Sequence, residues 1–501
     1  MTSLTDMIAK GRPVADQRPW PRAIVDIDTW EAAISELAGG NWTLLALWGE
    51  IGAVHMALLD SAPGTTGVIS FACPTGYYPS VGRHHAPAIR LERALRDLVG
   101  LEPEGATDER PWLDHGRWGM SRPLGGHASP TEAGAYRFLP AEGEHLHQIP
   151  VGPVHAGIIE PGHFRFTASG ETVVRLEERL GYVHRGLEGL MAGASLDRAA
   201  KLAGRASGDS TVAYGIAFGR AAEAALDIAP PPRAVWLRAL MAELERVANH
   251  LGDIGAICND AAFSIMHAHC AILREGALRA ADAAFGHRLM MDRVVPGGVA
   301  ADLGPAGAAR IQAFVADVHA RFPALVSLYD ETASLQNRTA GTGVLPPALA
   351  QQFGAGGYVG RASGRTFDAR RTLGYPPYDR LAFDVPVLTA GDVDARIWIR
   401  IREVTQSLAI IEQVLRDLPD GPIRAALPQG EGEGIAIAEA FRGDVFAWVR
   451  IGGDGGVAQC HLRDPSWFQW PLLEAAIEGN IVADFPLCNK SFNCSYAGHD
   501  L

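Results

Sequence analysis

The sequence is poor in cysteine, and its cysteines lack the spacing typical of metal sites. Its 501 residues include six cysteines, Cys73, Cys258, Cys270, Cys460, Cys488 and Cys494. No two of them form a Cys-x-x-Cys pair. In a long chain without an evident export signal, scattered cysteines predict reduced thiols rather than a disulfide framework. An excess of basic residues is also absent, since the net charge is −13. This charge argues against binding to nucleic acid and against electrostatic anchoring on anionic lipid.

Long apolar runs are missing as well. No window approaches the ~18 consecutive apolar residues of a membrane span. Residues 1–20 are polar and lack the apolar core of a signal peptide. We therefore predict a cytoplasmic protein whose membrane contact comes through partner subunits. A hydrophobic content of 48% in a chain of this length predicts a globular protein of two or more domains.

The first part of the sequence predicts a small α/β module over residues 23–116, preceded by a loose arm over 1–22. Apolar runs at 42–48, 54–59 and 67–73 predict buried strands, and the pattern at 88–98 predicts a helix. Residues 117–146 are rich in Gly, Pro, Ser and His and predict a linker.

From residue 147 to 501 the pattern predicts a second, mainly helical domain with peripheral β structure. A hairpin is expected around Ser169-Gly170, and helices are expected over 233–256 and 392–418. The second helix carries apolar residues at strict 4-3 spacing, with Asp392 as its cap and Pro419 as its stop. The predicted fold class is thus α+β, with an N-terminal α/β module joined to a helical domain.

Several motifs carry a resemblance to a known family. The segments at 154–165, 182–188 and 204–214 resemble the large subunit of membrane-bound nickel–iron hydrogenases of the formate-hydrogenlyase and hydrogenase-4 type. They resemble, more loosely, the quinone-site (49-kDa-type) subunit of respiratory complex I. Further matches follow in order at 294–298, 339–344, 360–365, 391–396 and 439–444. Residues 89–100 and 108–113 resemble the small hydrophilic (30-kDa-type) subunit of complex I, which hydrogenlyase-type proteins fuse to the large subunit.

The resemblance implies a nickel–iron site held by two Cys-x-x-Cys pairs, one within 205–214 and one near the C-terminus. Here the first segment has no cysteine, and the best register of the second reads Cys488-Asn-Lys-Ser491. Because the site needs four thiolates, we predict no nickel, no hydrogenase activity and no cofactor in this subunit. Cys488 and Cys494 are candidate remnants. A different metal bound by them and a histidine is one alternative, and small buried side chains are the favoured interpretation.

Six residues in these motifs are candidates for a cavity site or a proton relay: His155, Glu160, His163, Arg165, His184 and Asp209. In the family these segments face the small iron–sulfur partner, and such side chains can carry protons. Buried ion pairs are the alternative interpretation. His155 and His163 match the general position of the quinone-binding histidine, but no tyrosine matches its partner. Asp209 is expected to bond Arg205 and to fill the space left by the metal.

The resemblance implies a peripheral-arm subunit of a membrane-bound, ion-translocating oxidoreductase complex, on the cytoplasmic face of the inner membrane. Its expected partners are a small subunit carrying a 4Fe–4S cluster and antiporter-like membrane subunits, and not nucleic acid. Two alternatives stay open: a subunit that reduces quinone or another acceptor, as in NADH:quinone oxidoreductase, and a non-redox scaffold.

Overall fold

A five-stranded mixed sheet forms the core of the N-terminal part. The computed structural model of the protein describes residues 3–61, 64–126, 129 and 134–501. The strand order is β1-β3-β6-β5-β4, with β5 antiparallel to both neighbours and β3 parallel to β6. The strands and helix predicted at 42–98 are confirmed to within two residues. The elements are α1 (Leu4–Lys10), β1 (Arg12–Pro13), β2 (Gln17–Arg18), β3 (Arg22–Val25), α2 (Ile27–Ala38), β4 (Trp42–Glu50), β5 (Ala53–Asp60), β6 (Thr65–Ala72), β7 (Tyr77–Pro79), α3 (Ile89–Leu98) and β8 (Glu102–Glu104).

The loose arm predicted over 1–22 must be corrected. Ser3 caps α1 by accepting a hydrogen bond from the Asp6 amide, and Leu4 and Met7 are buried against the sheet. Leu4 and Met7 lie one helical turn apart, so α1 presents an apolar face that the sheet covers. Further along, β2 pairs in parallel with residues 433–434 of the second domain. The segment is therefore integrated into both halves of the protein.

The segment predicted to be a linker, 117–146, has little regular structure where it is described. Its residues 127, 128 and 130–133 lie outside the described residues. Tyr136 accepts a hydrogen bond from Arg93 at 2.8 Å, and Trp118 stacks on His184 with ring centroids 4.5 Å apart. These contacts tie the segment to both the N-terminal module and the second domain.

The second domain consists of long packed helices with three small sheets among its described residues, one of them the β12–β13 pair. The predicted hairpin is confirmed as β10 and β11, which pair with β9, and a second sheet has the order β16-β15-β14-β2. The elements are β9 (Leu146–Val151), β10 (His163–Ser169), β11 (Thr172–Arg179), α4 (Leu187–Met191), α5 (Leu196–Ala203), α6 (Thr211–Ala225), α7 (Pro232–Asp260), α8 (Ser264–Phe285), β12 (Val294–Val295), β13 (Gly298–Val299), α9 (Pro305–Glu331), α10 (Ala333–Thr339), α11 (Pro347–Gln352), α12 (Gly357–Ala362), α13 (Val393–Asp417), β14 (Gly432–Ala440), β15 (Gly443–Ile451), β16 (Val457–Arg463), α14 (Ser466–Ile477), α15 (Phe485–Phe492) and α16 (Tyr496–Asp500).

The two long helices follow their sequence patterns closely. The predictions at 233–256 and 392–418 correspond to α7 and α13, which pack against each other. Asp392 caps α13 by accepting a hydrogen bond from the Ala395 amide at 2.8 Å. The architecture is α+β, as predicted. In the described part of the chain, no helix is long and apolar enough to cross a bilayer.

The N-terminal sheet and the second domain share their buried surfaces. The side chains of Leu45 and Trp48 on β4 belong to the same apolar core as α6, α7 and β14–β16. Buried ion pairs reinforce the junction. Arg22 contacts Glu433 of β14, and Arg450 of β15 contacts both Glu50 and Glu433.

Candidate functional site

Two segments far apart in the sequence meet through a pair of serine hydroxyls. Ser207 lies in the turn before α6, and Ser495 precedes α16 at the C-terminus. Their Oγ atoms are 2.8 Å apart, and both side chains are buried. Each serine opens a pair with two intervening residues, Ser207-x-x-Ser210 and Ser495-x-x-Gly498. We call these four residues the hydroxyl cluster.

Asp209 and Arg442 provide the charges beside the hydroxyl cluster. The Asp209 carboxylate accepts hydrogen bonds from Ser207 Oγ at 2.7 Å and from Arg442 Nη2 at 2.6 Å. Burial opposes ionisation of this carboxyl, but the Arg442 guanidinium outweighs it, so the pKa of Asp209 is lowered. The prediction that Asp209 bonds Arg205 is wrong. Arg205 follows the C-terminal end of α5, on the outer side, where it forms a two-pronged pair with Asp292.

Asp464 fills the space next to Gly498. Its Oδ2 accepts a hydrogen bond from the Tyr214 hydroxyl at 2.7 Å, and its Oδ1 accepts from the Ser466 amide at 2.9 Å. Burial and the neighbouring carboxylate raise the pKa of Tyr214 well above its usual value. A Cβ atom added to Gly498 would lie 2.4 Å from Asp464 Oδ2. The fourth position of the cluster therefore has no room for a side chain while Asp464 stays in place.

A clamp of polar contacts holds the two segments together. Arg185 donates to the carbonyl oxygens of Arg205 and Ala206 at 2.8 Å and to that of Ala497 at 3.0 Å. Glu160 accepts from the Ala497 amide at 3.2 Å, and burial raises the pKa of Glu160. His184 Nδ1 lies 2.7 Å from the Asp500 carbonyl oxygen. Glu160 and His184, both predicted site residues, thus position the C-terminal segment.

The remaining predicted residues of the first motif lie around the loop between β9 and β10. His155 Nε2 bonds the Gly162 carbonyl oxygen of its own loop at 2.7 Å, and His163 Nδ1 lies 3.2 Å from the Gly152 carbonyl oxygen. Arg165 donates to His163 and lies over the Phe138 ring. Among the described residues, none of these three side chains forms a hydrogen bond to the hydroxyl cluster. The same loop exposes apolar side chains, with Val154 84% and Ile158 98% accessible.

The two candidate remnant cysteines have different surroundings. Cys488 lies on α15, where its sulfur is packed against Gly343 and next to the Arg396 guanidinium. Cys494 directly precedes Ser495 and is buried. Burial raises the pKa of both thiols, that of Cys488 to about 11. Within the described part of the chain, no group of three or more His, Cys, Asp or Glu side chains is placed to hold a metal ion.

A cavity of about 250 Å³ between α7 and α8 reaches the cluster from outside. Asp209 and Glu245 line it together with Asn249, Arg274 and Arg288. Asp209 keeps 36% of its side chain accessible, so solvent has access to the cluster through this carboxylate. The Glu245 carboxylate accepts from the Val212 and Ala213 amides and lacks a cation partner among the described residues. Burial raises its pKa to about 8.

Beyond the cluster, a network of fully buried charges joins α7, α12, α13 and β14. Arg361 bonds Glu403 at 2.7 Å and Glu439 at 2.9 Å, and Glu403 also bonds His250 Nε2 at 2.7 Å. Burial raises the pKa of Glu439 to about 7. The network contains four carboxylates, three guanidiniums and one imidazole, none more than 3% accessible: Glu243, Asp368, Glu403, Glu439, Arg246, Arg361, Arg370 and His250.

Sequence reasoning missed the partners that come from distant segments. Arg442 touches the cluster from the turn between β14 and β15, and Asp464 from the turn before α14. Nothing local in the sequence marks either as a site residue. Arg442 does lie within the matched segment 439–444, which was the available signal. The C-terminal register predicted from the sequence was Cys488-x-x-Ser491, whereas the residue that contacts Ser207 in the fold is Ser495.

Comparisons with known proteins place the chain in a family. Residues 260–430 match the family described as respiratory-chain NADH dehydrogenase, 49 Kd subunit. The chain is 32% identical to the carbon monoxide-induced hydrogenase of Rhodospirillum rubrum, over 69% of this chain and 96% of that protein. It is 30% identical to formate hydrogenlyase subunit 5 of Escherichia coli, over 84% of this chain and 77% of that protein. It is 32% identical to an NADH-quinone oxidoreductase subunit of Roseiflexus, over 67% of this chain and 94% of that protein.

A solved structure agrees with these relatives. A chain of the membrane-bound sulfane sulfur reductase, an archaeal respiratory membrane complex, superposes with a TM-score of 0.67 at 26% identity. The match covers 72% of this chain and 99% of that chain. The fold is thus that of a large subunit from membrane-bound redox complexes. The chain belongs to the family that unites hydrogenase large subunits with the 49-kDa-type subunit of NADH-quinone oxidoreductase.

Proposed function

We propose that this chain is a peripheral-arm subunit of a membrane-bound, ion-translocating oxidoreductase complex that works without a nickel–iron centre. The observation that carries the proposal is the contact between Ser207 and Ser495 at 2.8 Å, where the two segments of the hydroxyl cluster meet. These segments are the ones in which the family carries its nickel ligands. We assign the positions of the family's four nickel ligands to Ser207, Ser210, Ser495 and Gly498. At the C-terminus this assignment replaces the alignment of the second pair with Cys488 and Ser491.

The residues present do not fit nickel. A nickel–iron site is built from soft thiolates, whereas the cluster offers three hydroxyl groups and a glycine. The Asp464 carboxylate stands where a side chain at Gly498 would lie, and the Arg442 guanidinium adds a fixed positive charge. A nickel–iron centre would therefore meet a donor set of the wrong chemistry. We therefore propose that the subunit neither makes nor consumes hydrogen.

The charged groups around the cluster suit proton transfer rather than metal chemistry. Glu245 and Glu439 have pKa values raised to about 8 and about 7, which lets each exchange a proton near neutral pH. The buried network holds four carboxylates against three guanidiniums, so one more proton is needed to balance its charge. We propose that electron arrival in the complex, or a conformational change, alters the protonation of these acids and so couples to the membrane subunits.

The N-terminal module is proposed to be a fused counterpart of the small hydrophilic subunit of complex I. The match to formate hydrogenlyase subunit 5 spans 442 residues, whereas the match to the NADH-quinone oxidoreductase subunit of Roseiflexus spans 352. The additional length supports a fusion of the hydrogenlyase type. The buried pairs of Arg22 and Arg450 with Glu433 support a permanent junction.

The expected partners follow from the family and from one exposed surface. Val154 and Ile158 are exposed apolar side chains on the loop whose Glu160 binds the C-terminal segment. Exposed apolar patches of this kind mark protein interfaces. We propose that this loop faces a small subunit carrying a 4Fe–4S cluster. Antiporter-like subunits would then hold the assembly on the cytoplasmic face of the inner membrane.

Metal analysis of the intact purified complex tests the proposal. Nickel, iron and acid-labile sulfide are measured together with hydrogen evolution from reduced viologen, and a complex containing formate hydrogenlyase subunit 5 serves as the positive control. Iron and sulfide without nickel, and no hydrogen, is the expected result. Stoichiometric nickel contradicts the proposal. If nickel, iron and sulfide are all absent, the hydroxyl cluster belongs to a non-redox scaffold and the oxidoreductase assignment is refuted.

A second measurement separates a working site from a scaffold. His155→Gln and Glu160→Gln are made in the complex, and ion translocation is followed in membrane vesicles. Loss of coupled transport with unchanged assembly supports an active site at this loop. Full retention of transport in both variants supports the scaffold alternative.

A further inference from the structure

A largely apolar cleft lies between the N-terminal sheet and the second domain, away from the hydroxyl cluster. Its volume is about 300 Å³, and none of the four cluster residues lines it. We call it the junction cleft. One wall is formed by β4, α3 and residues 118–124, and the other by α4, β16 and the last two residues of the chain. This volume lies at the lower end of the range of small-molecule sites, about 300–1,000 Å³.

Two histidines in this cleft present hydrogen-bond acceptors that lack donors. His184 Nδ1 lies 2.7 Å from the Asp500 carbonyl oxygen, which can only accept, so Nδ1 carries the proton. Nε2 of the neutral ring is then an acceptor, and it has no partner among the described residues. His461 has the same arrangement, because its Nδ1 lies 2.8 Å from Glu188 Oε1. Its Nε2 is buried and lacks a partner in the described part of the chain.

Aromatic packing fixes both imidazole rings. The His184 ring stacks on Trp118 with centroids 4.5 Å apart and planes inclined by 30°. The His461 ring lies nearly parallel to Trp48, with centroids 5.7 Å apart and planes inclined by 9°. The two acceptors are therefore held in place and do not depend on ligand binding for their orientation. Arg185, a charged residue of the lining, already donates to three carbonyl oxygens.

We propose that the junction cleft binds a small, flat, largely apolar molecule that carries a hydroxyl donor, of the phenol class. The leucines of α3 and the tryptophans supply apolar contact, and the hydroxyl donates to His184 Nε2, which has no donor among the described residues. Anionic ligands do not fit, because the unsatisfied groups are acceptors. This site is independent of the proposed function, since it uses neither the cluster nor the buried ion network.

Calorimetric titration of the full-length chain with two matched probes tests the proposal. The first probe is 2-naphthol, and the second is 2-methoxynaphthalene, which has the same apolar rings but no hydroxyl donor. We expect 2-naphthol to bind about 2- to 10-fold more tightly, as the net contribution of one hydrogen bond predicts. Equal affinities, or no binding of either probe, would overturn the proposal.

A cleft-filling variant shows where the probe binds. A Cβ at Gly189 on α4 would have Leu124 Cδ2 at 3.6 Å as its nearest neighbour, so a larger side chain enters the cleft without a backbone clash. Gly189→Leu is expected to weaken 2-naphthol binding at least about tenfold. Leu190→Phe, at an exposed position outside the cleft, is the matched control and should bind normally.

Two further outcomes decide against the proposal. Unchanged binding in Gly189→Leu, with a melting temperature like that of wild type, would place the probe elsewhere. Binding to the free chain that disappears in the assembled complex would show that a partner side chain occupies the cleft instead.

Discussion

Replacing Gly498 by alanine tests whether Asp464 occupies the fourth position of the hydroxyl cluster. The added Cβ would lie 2.4 Å from Asp464 Oδ2 and 2.9 Å from Ser495 Oγ, well inside van der Waals contact. Asp464 cannot retreat freely, because its carboxylate is bonded to Tyr214 Oη at 2.7 Å and to the Ser466 amide at 2.9 Å. Overpacking of a buried site costs about 1–3 kcal/mol.

The change is measurable as a shift in melting temperature. The melting temperature of a domain of 150–250 residues falls by about 2–4 °C for each kcal/mol of destabilisation, and that of a 501-residue chain falls by roughly half as much. We therefore expect Gly498→Ala to melt about 1–6 °C below wild type in differential scanning calorimetry. Gly208→Ala is the matched control in the facing segment, because a Cβ there meets no atom within 4 Å. Equal melting of the two variants would refute the packing argument, and with it the exclusion of a side chain at this position.

Three other changes probe the charges of the site and of the junction, each followed by melting temperature. Glu245→Gln removes a carboxyl whose pKa is raised to about 8 in the folded protein. Wild type should therefore lose stability relative to the variant as the pH rises from 5 to 8. Melting temperatures that change in parallel with pH in the two proteins would contradict this. Asp209→Asn removes a carboxyl whose pKa is lowered in the folded protein. The ionised carboxyl stabilises the fold above about pH 4, and this contribution is lost on acidification, so wild type should lose more stability than the variant between pH 5 and 3. Equal acid sensitivity of the two proteins would count against the ion pair with Arg442. Glu433→Gln removes the nearer of the two carboxylates beside the buried Arg22, leaving Glu50 at 3.9 Å, and should cost about 3 kcal/mol, the low end for a broken buried pair. Glu275→Gln at an exposed pair should cost less than about 1 kcal/mol, and similar effects in the two variants would refute the role of the junction pairs.

Sequence patterns predicted those helices and caps that depend on residues close together in the chain. The apolar stripes of α7 and α13 and the Asp392 cap are properties of neighbouring residues, and the structure confirms them. The same kind of reasoning failed for residues 1–22, because the short helix α1 is stable only where the sheet covers it.

The site was less predictable because its contacts join distant segments. Asp209 has Arg205 four residues away, which made a local pair the natural expectation, yet the partner is Arg442 in the turn between β14 and β15. Arg205 lies outside the cluster because Asp292, 87 residues further on, holds it there. Glu160 and His184 were predicted as cavity or proton-relay residues, and their contacts to Ala497 and Asp500 could not be read from the sequence because they depend on the fold.

The proposal that the hydroxyl cluster binds no metal requires other groups to occupy the space between its two segments. Leaving a buried cavity costs free energy in proportion to its volume, and lining it with unpaired polar groups costs more. This chain avoids both costs. Asp209 and Asp464 occupy the space between the segments, and each carboxylate has its own donors, Arg442 for the first and Tyr214 for the second. Cysteines at the four positions would remove the Ser207 hydroxyl that donates to Asp209 and would place a side chain against Asp464 rather than build a thiolate site. On the proposal that the cluster binds no metal, we expect single replacements by cysteine at these positions to destabilise the chain without conferring hydrogen chemistry.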